Sequence, residues 1–335
     1  MKKLMLKAGS SLGLVIFLLI PTLSAASSTT AVSRPTLTQL ESEIAASVKI
    51  KDAPPLKDLI PTLSGNWANV TMVPMPRACY GSWPLTEDEP IPANAVTQCE
   101  WGDTAATRSI FLIGDSQSAM WLPTFNTLGL ELGWKILFLA KSGCPPWITS
   151  SRYLSDNISV YSNTACKAFV KNEIAFVNSV HPTVVIPIGL QVPSRTDQVT
   201  EEVQEASTLR TIAALKPSRA KILFLGGFSW TFGGTTPQDC LTIHPTDLPG
   251  CEATLSVLST YPGISGLEAA AKKDHIGVVP TLKLFCAKYL CPIFVKSPSG
   301  DHLIYFDDGH VNNQYSVWIS RAFGTLIQPY LPNTA

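Results

Sequence analysis

Two short runs, far apart in the chain, hold the side chains best suited to chemistry. The first is Gly114-Asp115-Ser116, which follows the apolar stretch from Ser109 to Ile113 and opens a segment with helical spacing. A serine at a helix N-terminus is surrounded by free backbone N–H groups and the positive end of the helix dipole. Both suit an oxyanion forming beside its hydroxyl. By itself the run is a weak signal and reads better as a helix cap, with Asp115 bracing the turn. The second run is Asp307-Asp308-Gly309-His310, just before the last helical pattern. An Asp and a His three apart in one turn can hydrogen-bond, carboxylate to Nδ1, which leaves Nε2 to accept a proton from a serine. Asp308 competes with Asp307 for that role, and by itself the run is an ordinary Asp-Gly turn. It is the conjunction that points to nucleophilic chemistry: an early serine after a strand and a late Asp-x-x-His before the final helix.

Such a set must be carried by elements that bring both runs to one edge. From residue 109 onward a strand–helix rhythm is legible. Apolar runs at 109–113, 134–140, 183–188, 221–225 and 277–280 predict five strands. Amphipathic spacing predicts helices over 118–130, 166–180, 200–215, 264–274 and 314–328. Continuous apolar strands alternating with helices indicate a buried, mostly parallel sheet, an α/β fold whose reactive groups collect at the C-terminal ends of the strands. A further helix is predicted over 36–50, with Leu40, Ile44 and Val48 on one side. The stretch 65–108, with Trp67, Trp83 and Trp101, reads as an irregular opening segment, and 229–262 as a polar, cysteine-bearing excursion.

The 335 residues suffice for one large α/β domain or two small ones. Hydrophobic residues make up 45% and charged ones 15%, a balance that supports a sizeable core. Lys+Arg and Asp+Glu are both 25, so there is no basic excess and nucleic acid is not the expected partner. The N-terminus has the form of a signal peptide over 1–26. Lys2, Lys3 and Lys7 precede a predominantly apolar run from Leu12 to Leu23, and Ser24-Ala25-Ala26 offers small residues for cleavage. An uncleaved N-terminal anchor is the alternative. Residues 27–64 then form a linker and lead-in helix, and 65–335 the main domain. Export gives the eight cysteines meaning, because an even count in an oxidising compartment favours disulfides. Pairing sequence neighbours closes the smallest loops: Cys79 with Cys99, Cys144 with Cys166, Cys240 with Cys251, and Cys286 with Cys291. No clustered Cys/His spacing supports a metal site, and no nucleotide-binding loop or Gly-x-Ser-x-Gly elbow is present. His181, His244, His275 and His302 read as structural or surface residues, and Trp121 as core.

With these motifs in place the chain resembles the SGNH (GDSL-like) serine esterases. Within them it is similar to the SGNH domains attached to integral-membrane acyltransferase-3 proteins, which O-acylate cell-surface glycans. The likeness rests on EIAASVKIKDAPPLKDL, the Cys79/Cys99 pair around CEWGD, FLIGDSQSAMWLPTF, LAKSGCPPW, the DCLTIHP excursion, LFCAKYLCP and YFDDGHVN.

The resemblance implies a three-layer α/β/α, flavodoxin-like fold around a central five-stranded, mostly parallel sheet. It implies Ser116 as nucleophile, His310 as general base and acid, and Asp307 as its orienter. For the oxyanion hole it implies the N–H of Ser116, Gly143 after the second strand, and a side-chain amide after the third. The last is a departure, since Gln191 stands where an Asn is expected. Gln117, directly after the serine, replaces a customary His. No cofactor or metal is implied, and a monomer is expected. The expected activity is exported acyl transfer, of an acetyl group by preference, onto envelope or secreted glycans through an acyl-Ser116 intermediate. No acyl-CoA exists outside the cell, so a transferase would draw on an ester donor or a membrane acyltransferase partner. A carbohydrate O-acetylesterase needs neither. A non-catalytic glycan-binding module is the third reading.

Overall fold

In a computed structural model, residues 33–61, 75–81, 91, 95–149, 164–189, 200–227, 236–254, 262–305, 307 and 309–332 are described. The segment 1–26 expected as a signal peptide, Gln191 and Asp308 lie outside them.

Helix α1 (Leu37–Ser47) begins at a capping box in which Thr36 and Gln39 satisfy each other's end of the turn. Strand β1 (Leu59–Ile60) follows, then β2 (Tyr80–Gly81), the short helix α2 (Ala95–Gln98) and β3 (Glu100–Gly102). The strand–helix rhythm runs through β4 (Ser109–Gly114), α3 (Ser116–Leu132), β5 (Lys135–Lys141), α4 (Thr164–Val180), β6 (Val184–Ile188), α5 (Glu201–Leu215) and β7 (Lys221–Leu225). Helix α6 (Pro237–Ile243) and β8 (Ala253–Thr254) form the excursion. Then come α7 (Pro262–Lys273), β9 (Gly277–Val279), β10 (Leu290–Cys291), β11 (Phe294–Ser297) and β12 (Gly300–Leu303). The chain closes with α8 (Asn313–Trp318) and α9 (Ser320–Ile327), a single predicted helix divided by a turn at Ile319.

The main sheet has seven strands, not five, in the order β2-β5-β4-β6-β7-β9, with β3 antiparallel on β5. The five expected strands are all present and parallel. The two extra strands come from the cysteine-bearing opening segment, too short to show an alternation of their own. The Cys79–Cys99 disulfide ties them together, and β5 serves as template for both. The five central strands keep the doubly wound order in which the chain reverses direction beside the first strand. That reversal lies at β4 and β6, the strands that lead into Ser116 and Gly189.

Alternation along β4 sorts the two faces. Ile110 and Leu112 pack with α1, α3, α8 and α9, while Phe111 and Ile113 pack with Phe169, Val170, Ile174 and Val177 of α4. Farther along, Phe224 of β7 packs with Ile212 and with Leu267 of α7. The result is three layers, with α1 sharing the core of one face through Leu40 and Ile44. All four neighbour disulfides are formed.

Two positive-φ glycines bracket α3 and differ in their surroundings. Gly114 has φ +136°, and a Cβ there would stand 1.7 Å from the Ile188 carbonyl oxygen. Gly133, the left-handed C-cap, has φ +66° and nothing nearer than 3.9 Å. Gly114→Ala is therefore expected to cost at least about 3 kcal/mol, strain plus collision. Gly133→Ala is expected to cost about 1 kcal/mol, conformation alone. Urea unfolding of the two variants measures the difference, and equal losses would show that the approach to Ile188 is no constraint.

Candidate active site

The C-terminal edge of β4 is where the two chemical runs meet. Asp115 is the N-cap of α3 and its carboxylate accepts the Gln117 N–H at 2.8 Å. Its own N–H bonds the Ile188 carbonyl at 3.3 Å, tying the turn to β6. Asp115 is thus the brace its position suggested. Ser116 is the first helical residue, 9% exposed, with its hydroxyl at the free end of the helix.

The Asp-x-x-His run sits in a loop closed by an antiparallel bridge between Tyr305 and Val311. Inside it, Asp307 accepts the Gly309 N–H at 2.7 Å, an Asx turn that fixes the carboxylate. His310 Nδ1 lies 2.8 and 2.9 Å from the two Asp307 oxygens. His310 Nε2 lies 2.7 Å from Ser116 Oγ. A proton on Nδ1, donated to Asp307, leaves Nε2 as acceptor for the serine hydroxyl. Burial raises the Asp307 carboxyl. The hydrogen bond and charge of His310, with the N–H groups of Gly309 and His310, outweigh it and hold the group below its ordinary value. An ionised Asp307 is the form that can stabilise a positive imidazolium.

Gly143 lies in the turn after β5, next to β4 in the sheet, with φ +69°. The Cys144–Cys166 disulfide anchors this turn to α4, and Pro146 packs on Gly189 and toward Gly114. The loops after β4, β5 and β6 therefore converge. Gln191, the expected amide donor after β6, lies outside the described residues, as does Asp308. A cavity of about 360 Å³ lies behind the post-β5 loop, lined by Trp147, Val170 and Ile174 among others. No member of the Ser116–His310–Asp307 set lines it.

Gln117 is buried, and its side-chain amide nitrogen has no partner among the described residues. Trp121 is core, set against Phe285 and Phe323. The other histidines stay away from the set. His302 stacks on Trp318 and bonds Ser299, and burial lowers its ring to about 4. His181 bonds the Ser218 carbonyl, and His244 lies 3.8 Å from Asp247.

Two buried ionisable residues near the site went unread in the sequence, Glu173 of α4 and Lys141 of β5. Glu173 left a signal: it interrupts the apolar stripe Phe169, Val170, Ile174, Val177. Its Oε1 accepts the Gly114 N–H at 3.0 Å. Lys141 closes an apolar strand and sits 6.0 Å from the Phe169 ring.

Comparison with known proteins places the fold. A lipopolysaccharide acetyltransferase periplasmic domain from Salmonella ser. Paratyphi A is similar over 76% of this chain and 90% of its own, with 18% identity and a TM-score of 0.51. A GDSL-like lipase from Bacteroides thetaiotaomicron is 13% identical over 67% of this chain and 87% of its own, TM-score 0.38. A carbohydrate acetylesterase family member from Sinorhizobium meliloti is 9% identical over 67% and 97%, TM-score 0.35. No curated protein matches by sequence. A family model described as SGNH domain (fused to AT3 domains) matches residues 80–325, and the chain belongs to that family.

Proposed function

We propose that this protein is an exported, serine-dependent acyl-ester enzyme that transfers a short acyl group, acetyl by preference, to glycan hydroxyls through an acyl-Ser116 intermediate. The observation that carries the reading is the unbroken relay from Ser116 Oγ through His310 to Asp307, at 2.7 and 2.8 Å, at the free end of α3. Family membership and the likeness to an acetyltransferase domain support the acyl class. The four disulfides support export.

In this mechanism Ser116 Oγ attacks the acyl carbonyl carbon while its proton passes to His310 Nε2. The N–H groups of Ser116 and Gly143, with the Gln191 amide, hold the oxyanion. Collapse breaks the ester C–O bond, and the leaving alcohol takes the proton from His310. An acceptor sugar hydroxyl then yields its proton to His310 and attacks the acyl-serine, which releases the new ester and restores Ser116. The donor is an ester or a membrane acyltransferase partner, in keeping with a family fused to AT3 domains. Hydrolysis is the second reading. The side chains of His310 and Asp307 keep 25% and 32% of their surface, so water can reach the acyl-enzyme.

Turnover of p-nitrophenyl acetate tests the common step. Ser116→Ala and His310→Ala should each lose at least about 10³-fold in kcat, to a similar degree, because the members act as a unit. His310 removed without loss would end its assignment as base. An added oligosaccharide acceptor then separates the readings: acylated sugar supports transfer, and acetate alone supports hydrolysis. Asp307→Asn should lose about 10²–10⁴-fold in kcat by misdirecting the imidazole proton. It should also change the acid stability profile. A carboxyl held low when folded contributes stability above its unfolded value and loses it as pH falls through the folded one. The wild type should gain stability over Asp307→Asn as pH rises to about 4–5 and gain no more above that, measured by thermal unfolding. Parallel profiles would count against an ionised Asp307.

A further inference from the structure

Glu173 has no part in the relay, yet it lies beneath the residue that begins it. It sits mid-helix in α4, fully buried, on the face that packs against the sheet. Its Oε1 accepts the N–H of Gly114, two residues before Ser116. Its Oε2 is buried without a partner among the described residues. Gly114 has φ +136° and packs closely on the Ile188 carbonyl, a sparsely populated conformation that its surroundings must hold. Asp115, the next residue, is wholly buried and engaged as the helix cap.

We propose that Glu173 is a positioning residue for the nucleophile: its carboxyl holds the Gly114 amide and so fixes the direction in which the turn delivers Ser116 to His310. The inference rests on the reading of Ser116 as nucleophile. Burial pushes the Glu173 carboxyl well up, the Gly114 N–H bond opposes that shift, and the Asp115 charge adds to it. The Gly114 bond requires only a side-chain oxygen at this position. A glutamine offers the same carbonyl oxygen without a charge, whereas a leucine fills similar space and accepts nothing.

The test compares wild type, Ser116→Ala, Glu173→Gln and Glu173→Leu. Three quantities are read: covalent labelling by a p-nitrophenyl alkylphosphonate, kcat and KM for p-nitrophenyl acetate, and the ¹H–¹⁵N resonance of Gly114. Glu173→Gln should stay within about threefold of wild type, with the Gly114 resonance little moved. Glu173→Leu should lose about tenfold or more in labelling and kcat, with KM within about twofold, at a temperature where the variant stays folded. Its Gly114 resonance should shift. A merely structural residue would leave kcat intact in a leucine variant that folds as well as wild type. Wild-type rates in Glu173→Leu, or a loss in Glu173→Gln as large as that in Glu173→Leu, would overturn the proposal. Should Glu173→Leu fail to fold, Glu173→Asp, one methylene short of Gly114, takes its place with the same expected loss and the same overturning result. Labelling that survives in Ser116→Ala would instead overturn the nucleophile reading, an outcome distinct from any result at position 173.

Discussion

The reactive geometry depends on a buried seam between α3 and α8. Ser116 and His310 are 194 residues apart in sequence, so no local preference sets their distance. The seam does. Ser316 Oγ donates to the Met120 carbonyl at 2.7 Å, Thr124 Oγ1 donates to the Ser316 carbonyl at 2.6 Å, and the Val311 N–H meets Met120 Sδ at 3.4 Å. Each buried bond contributes about 1 kcal/mol net, and stranding one partner costs about 1–3 kcal/mol. Slippage of one helix along the other is therefore discouraged at several points together. Below the polar seam, Trp121 and Phe125 pack on Phe323 of α9 with ring centroids 5.1 Å apart. Polar bonds set the register and aromatic burial supplies the adhesion.

Just before α3 begins, the Gly114-Asp115-Ser116 turn is held from three directions. Glu173 takes the Gly114 N–H from below, the Ile188 carbonyl stands against the Gly114 Cα, and Pro146 packs nearby from the post-β5 loop. A backbone in so sparsely populated a conformation persists only where its surroundings over-determine it. The arrangement concentrates buried polar groups at one edge of the sheet, where α3 begins.

The disulfides reinforce the same edge. Cys79–Cys99 holds β2 and β3 on β5, and Cys144–Cys166 ties the Gly143 turn to the helix that carries Glu173. Each closes a loop of about twenty residues, which in the chain-entropy view removes about 3 kcal/mol of freedom from the unfolded state. The staples lie where short strands and turns, rather than long apolar elements, shape the site.

Much of this was legible locally. The five parallel strands are continuous apolar runs, and such runs have few fates other than a buried sheet. Asp115 reads as a cap because its carboxylate precedes helical spacing, and Asp307 with His310 reads as a pair because three residues span one turn. Small loops favoured the neighbour pairing of the cysteines without fixing it, and the fold formed those four pairs. By contrast β2 and β3 are two and three residues long. They are strands only because β5 offers them a ladder, so the seven-stranded sheet was a tertiary fact. Glu173 showed in the sequence only as a charge misplaced on an apolar face; that it faces the Gly114 amide came from the packing of α4 on β4. Sequence alone determined the kinds of element and singled out the candidate residues, since periodicity, caps and short-range pairs are written within a few positions. The fold alone decided that Ser116 Oγ and His310 Nε2 stand 2.7 Å apart, because that distance is the sum of long-range contacts between α3, α8 and the sheet.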